Sequence, residues 1–199
     1  MPNLTQYLLF GNGKAQNTNS DSLSSRELRL LQDGDILLRK GFGSISDFIA
    51  DFLQEKYPVT HCAFIINTSK PPIQVLHTAS NEQVNHVHIE PLEQYIKQSA
   101  AGSLVLVRLK CLPEQKREIL QIAHQLLKEK VPFDMGFDDQ DNQALYCIEL
   151  MRNIFVEVLG HDLLPNRTHK NTIDVLSMDN FFNPTYFEVI FNHFDSVKD

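Results

Sequence analysis

The chain has 199 residues, 42% hydrophobic and 22% charged, with a formal net charge of −7. That composition is ordinary for a globular protein, and the length suits one domain burying roughly 70% of its unfolded surface. The acidic balance excludes a phosphate-coating nucleic-acid binder, and the scattered Lys and Arg offer an anionic membrane no basic stripe.

The N-terminus lacks the basic region and apolar segment of a signal peptide. The chain as written therefore reads as cytoplasmic, although an exported or periplasmic protein whose leader had been removed would read the same. Residues 11–25, GNGKAQNTNSDSLSS, are small and polar. Residues 1–25 are expected to form a flexible or extended segment, with a single domain over 26–199.

SRELRLLQDGDILLR predicts a short helix, a turn at Asp33-Gly34 and a strand at Ile36–Arg39. In GSISDFIADFLQEK the apolar residues Ile45, Phe48, Ile49, Phe52 and Leu53 fall on one helical face, with Ser44 as the expected N-cap. THCAFII, IQVLHTAS (after the KPP turn at 70–72) and VNHVHIEP predict three strands, and SLVLVRLK a further one beyond the helical residues 92–98. Ile119, Ile122, Ala123, Leu126 and Leu127 give a helix from Pro113 to Lys130, with Pro113 in its first turn. An acidic loop, PFDMGFDDQDNQ, precedes a helix that starts at Cys147 and ends at Gly160. The tail predicts a short helix in IDVLSMDNFF and an aromatic end, TYFEVIFNHF. Strands cluster mid-chain with helices on either side, which favours an α+β fold with an antiparallel sheet. No apolar run approaches the ~20 residues of a transmembrane helix. No pattern specifies an oligomer.

Three cysteines, Cys62, Cys111 and Cys147, form no CxxC pair and no zinc-site spacing. Cys62 is mid-strand and Cys111 ends a strand, so both suit structural roles. Cys147 follows a loop and opens a helix, where unpaired N–H groups and the helix dipole favour thiolate. Those N–H groups also suit an oxyanion. A thiol nucleophile needs a base. His124 is an ordinary helical residue, while His161, His169 and His193 lie in turn or tail segments. His86 and His88 share one strand face, the spacing of a metal-binding pair or of an exposed edge. His61 and His77 lie on two strands that a hairpin through the KPP turn would bring together, as base and partner or as buried core histidines.

The ordered set GDILLR, THCAFII, IQVLHTAS, HIEPLEQYI, LVLVRLK, PFD and YCIEL resembles the YiiX/YebB-like branch of the NlpC-type permuted papain-like cysteine hydrolases. Lecithin:retinol acyltransferase-like proteins are related to that branch. The resemblance covers roughly residues 33–190. It implies a permuted papain-like fold, an antiparallel sheet or partial barrel packed on helices with the nucleophile at a helix N-terminus. It also implies a Cys-His-His set of Cys147, His61 and His77, with no metal or other cofactor. Tyr146, beside the nucleophile, would line the pocket or donate a hydrogen bond to support the oxyanion.

The implied reaction is cleavage of an amide in a peptide or peptidoglycan fragment through a thioester. An acyl-lipid or ester reaction is the alternative, and a non-catalytic ligand- or metal-binding module the rival of another class. Asp35 and Glu149 match acidic motif positions, Asp35 as a turn residue and Glu149 as a structural or pocket-edge one. This chain departs from the family pattern at Thr60 for Ser, Phe133 for Tyr and Ile148 for Ser. His77 stands where many members have Glu, so a fixed negative charge behind His61 is expected to be lost.

Overall fold

The computed structural model describes residues 21–81, 83–137, 143–170 and 173–196. Most of the expected N-terminal segment, and residues 138–142 of the acidic loop, lie outside them. Strands β1 (Ile36–Arg39), β2 (His61–Ile66), β3 (Gln74–Ser80), β4 (Asn85–Pro91), β5 (Val105–Leu109) and β8 (Phe187–Asn192) form one sheet in the order β4-β3-β2-β1-β5-β8. Every pairing in it is antiparallel. A separate two-stranded sheet joins β6 (Arg167–Lys170) to β7 (Ile173–Leu176). The helices are α1 (Ser25–Leu28), α2 (Ser44–Leu53), α3 (Leu92–Lys97), α4 (Pro113–Glu129), α5 (Cys147–Leu159) and α6 (His193–Ser196).

The α+β reading and nearly every element therefore hold. The tail differs. Its first part forms β7 and a 3-10 turn at Met178–Phe182, and its aromatic end forms the edge strand β8. Ser44 is the first residue of α2 rather than its cap. Gly43, at φ +94°, is the cap and provides no side-chain bond. α5 ends as expected, with Gly160 in the left-handed region at φ +75°.

The sheet is buried on both faces, which is why β1, β2 and β5 read as continuous apolar runs rather than alternating ones. On one face Ile36, Leu38, Cys62, Phe64, Ile66 and Leu76 pack with apolar residues of α2, α4 and α5. On the other, Leu37, Ala63, Ile65, Val75 and Leu106 pack beneath Leu92, Tyr95 and Ile96 of α3. By strand alternation Arg39, His61 and His77 belong to the α3 face, whereas α5 lies on the opposite one.

The segment leading to α5 is held by the edge of β4. Val87 donates to the Val131 carbonyl at 2.9 Å and Phe133 donates to Asn85 at 3.2 Å, while Leu145 donates to Pro132 at 2.9 Å. These bonds cover an otherwise open edge and fix where the helix begins. At its start the Tyr146 N–H donates to Glu149 Oε2 at 3.2 Å, and Ile148, Leu150, Met151, Ile154 and Phe155 bury its apolar face.

Asp35 does more than shape a turn. It is fully buried, accepts the Gln32 N–H at 2.8 Å and is clamped by Arg108, Nε at 2.7 Å and Nη2 at 2.8 Å. Removing one partner of a buried pair leaves the other charge uncompensated. Arg108→Ala is expected to cost about 3 kcal/mol, near the low end for such pairs because Arg108 is partly solvated. A urea-denaturation series would show this as a lowered midpoint with an unchanged slope.

Candidate active site

His61 opens β2 and His77 lies mid-β3. The register that pairs Phe64 with Leu76 sets position 77 beside position 63, one side-chain repeat from His61. The two rings meet edge-on with centroids 4.9 Å apart, and His61 Nε2 lies 2.7 Å from His77 Nδ1. β4 then contributes a residue that the sequence reading missed. Glu90 Oε1 lies 2.9 Å from His77 Nε2. The fixed charge expected to be lost at position 77 is thus supplied from the next strand.

This order fixes the protons. Burial is the largest influence on Glu90 and opposes its ionisation, but the hydrogen bond to His77 together with the charges of His77, Arg39 and His88 outweighs it and holds the carboxyl below the usual range. Burial lowers His77 to about 4 against the pull of Glu90. Burial and then the neighbouring charges of His77 and Arg39 lower His61 further. Both imidazoles are therefore neutral near pH 7. A carboxylate only accepts, so His77 donates Nε2–H to Glu90 and accepts at Nδ1. His61 must then donate Nε2–H to His77, which leaves the lone pair on His61 Nδ1.

That ring borders a cavity of about 620 Å³ at the end of β2, lined also by Cys147, Arg39, Thr60, Phe133 and Phe137. Cys147 is 3% exposed. Its pKa is lowered first by a hydrogen bond from Cys62, against the cost of burial, and further by the N–H groups of Cys62, Ile148 and Cys147 itself. Cys62 is correspondingly pushed well up, by burial and by that same bond. It is buried in the sheet core, and its hydrogen bond solvates its neighbour. The Thr60 hydroxyl accepts the Gly41 N–H at 2.9 Å. A Cβ at Gly41 would lie 2.6 Å from Ser46 Oγ, so a side chain there would force that hydroxyl to move.

Tyr146 falls elsewhere. It is buried beside Phe137, with ring centroids 5.3 Å apart, and its hydroxyl accepts the Leu176 N–H at 3.2 Å. Among the described residues it does not line the cavity, so the expected pocket role has no geometry behind it. Glu149 is fully buried at the start of α5, a structural residue. His88 stacks on His77 at 4.3 Å between centroids. Ligand atoms of His77, His88 and Glu90 lie within 4.8 Å of one another, so these three residues could hold a metal ion, whereas His86 turns its Nδ1 to the Val87 carbonyl at 2.8 Å.

Two comparisons with known proteins bear on this arrangement. Residues 30–186 match the family model of permuted papain-like amidase enzymes, YaeF/YiiX, C92 family. The fold is similar to the crystal structure of metalloprotein YiiX from Escherichia coli O157:H7, with TM-score 0.64 and 19% identity over 81% of this chain and 97% of that one. No curated protein matches. Among the described residues no helix is long and apolar enough to cross a membrane.

The proton order has a stability signature. Both histidines are depressed in the folded state, so below the unfolded value of ~6.5 the unfolded chain binds more protons. Their contribution to stability is complete above pH ~6.5 and falls with pH toward about 4, the value at His77. Replacing His77 with Gln should flatten that slope in urea midpoints measured from pH 7 to 4. Nitrogen-15 NMR should show both rings as neutral Nε2–H tautomers at pH 7.

Proposed function

The chain belongs to the YaeF/YiiX, C92 family of permuted papain-like amidase enzymes, and on that premise we propose that it is a cysteine hydrolase cleaving an amide bond in a peptide or cell-wall peptide. The reading rests on one observation: Cys147, at the start of α5, borders the same cavity as His61, whose Nε2 is held by His77, itself bonded to Glu90.

In this mechanism His61 Nδ1 takes the Cys147 proton as sulfur attacks the amide carbonyl. The N–H groups at the start of α5 stabilise the oxyanion. Collapse breaks the C–N bond, and His61 returns its proton to the departing amine, leaving a thioester. Water, deprotonated by the same nitrogen, then releases the acid and the thiol. His77 and Glu90 act as positioning residues, fixing the His61 tautomer. Ester or lipid acyl chemistry would use the same steps with another leaving group or acceptor, and the apolar wall of Phe42, Ile45, Ile49, Phe133 and Phe137 favours an acyl group on that side.

Cys147→Ala should remove turnover of amide and ester probes. His77→Ala and Glu90→Gln should each lower it by roughly 10²-fold, as misoriented bases do. In the wild type, iodoacetamide at pH 6 should label Cys147 ahead of Cys62 and Cys111, and His61→Ala should slow the labelling of Cys147. Equal labelling of all three thiols would overturn the assignment.

The His77–His88–Glu90 cluster supports a second reading. The relative of similar fold, YiiX, is a metalloprotein, and two imidazoles with a carboxylate are a donor set that zinc accepts. An ion there would take His77 Nε2 from Glu90 and so compete with the proton order above. Elemental analysis of purified protein tests this. Stoichiometric zinc that is lost in His88→Ala would favour a metal-binding module, and turnover undiminished by chelator would exclude it.

A further inference from the structure

Arg39 ends β1 directly opposite His61. It is 7% exposed and lines the cavity beside Cys147. A guanidinium has five N–H donors. Here Nη1 donates to the Tyr95 carbonyl at 2.6 Å, and Nη2 reaches Gln98 Oε1 only at 3.4 Å. Its Nε is buried with no hydrogen-bond partner. No carboxylate forms an ion pair with Arg39 among the described residues. Glu90, which acts on it only through space, is committed to His77 and to Gln98 Nε2. The Tyr95 ring beneath, 4.0 Å from Arg39 Cζ, holds the cation in place without neutralising it. The other lysine or arginine on the cavity wall, Lys97, is paired with Glu93 at 2.7 Å.

A buried cation without a counter-charge is costly, and buried charges are as a rule paired. The cavity is the open side from which a partner can arrive. We propose that Arg39 recognises an oxyanion on the substrate, a carboxylate or a phosphate, so that Cys147 acts on acyl compounds carrying an anionic group. This deepens the hydrolase reading and rests on it for the chemistry, though not for the binding. The anion would lie toward Arg39 and the apolar part of the acyl group against Phe133 and Phe137, which also line the cavity.

The test uses matched 4-nitrophenyl esters of one chain length that end in a carboxylate, a phosphate or a neutral methyl ester. Wild type should favour the anionic probes by about tenfold or more in kcat/KM, through KM, as a charge-assisted hydrogen bond would. In Arg39→Gln the ratio should fall to near one, and Arg39→Lys should retain part of it. The ranking of carboxylate against phosphate identifies the anion. A ratio near one in wild type, or one unchanged in Arg39→Gln, would overturn the proposal. Calorimetry on Cys147→Ala with the free diacid and its neutral diamide separates the two readings. Diacid binding that is preferred and salt-sensitive, in a protein whose wild type turns over no probe, would retain the anion site and reject the hydrolase. Equal binding of diacid and diamide would reject the anion site.

Discussion

The hydrogen-bonded line Glu90–His77–His61 crosses three adjacent strands, and the chemistry available to the cavity depends on it. Each link is set by strand register, through the pairing of Val75 with Glu90 and His77 with His88 on one side, and of Phe64 with Leu76 on the other. A slip of one residue in either ladder would turn the histidine to the opposite face. The apolar residues between, Val75, Leu76, Ala63 and Phe64, are buried on both faces and oppose such a slip. Core packing thus provides the precision of the polar line.

Charge decides what that line can do. The papain-type expectation is a thiolate beside an imidazolium. Here Arg39 stands opposite His61, and together with burial and His77 it disfavours a second cation there. Two unit charges about 4 Å apart interact by ~4 kcal/mol at an effective dielectric of 20. A carboxylate that reaches His61 only through His77 compensates from a greater distance. His61 is therefore neutral near pH 7, and in the proposed reaction it would accept the thiol proton during attack. Cys62 and the N–H groups around Cys147 lower the cost of the developing thiolate without placing a full charge on His61. An oxyanion on Arg39 would offset the Arg39 share of what opposes an imidazolium, a share that follows burial and His77, so binding a charged substrate would also make His61 somewhat more basic.

Much of this was legible in the chain. The helix over Ser44–Leu53 and the strands around His61, His77 and Val105 announce themselves by local periodicity and composition, and the start of α5 at Cys147 follows from the loop before it. What escaped is non-local. Glu90 lies in VNHVHIEP at even spacing from His86 and His88, so its shared face was visible, but the strand on which that face docks was not. Arg39 reads as the polar end of an apolar run, because nothing in the sequence says that α3 will cover it. Residues 187–192 reach β5 from across the chain, and β-pairing of that kind leaves only a weak aromatic signal. Tyr146 was placed by adjacency to Cys147, yet on entering a helix one residue's shift turns a side chain by about 100°.

The location of the cavity follows from the layering. His61, His77 and Arg39 project from the sheet face under α3, while Cys147 arrives on α5, which packs on the opposite face. Side chains from opposite faces can share a space only beyond the end of a strand, and β2 begins at His61 itself. A thiol that shares this cavity must therefore come from a helix tip rather than from a helix flank, and that tip must be fixed relative to the end of β2. The bonds from β4 to residues 131–133, and from Leu145 back to Pro132, do this. β4 consequently bears on both halves of the site, with Glu90 bonded to His77 behind His61 and the edge at Asn85–Val87 setting the helix that carries the thiol. A lesion in β4 far from the sulfur would disturb both at once, and double substitutions there should be strongly non-additive, as expected of residues acting as a unit.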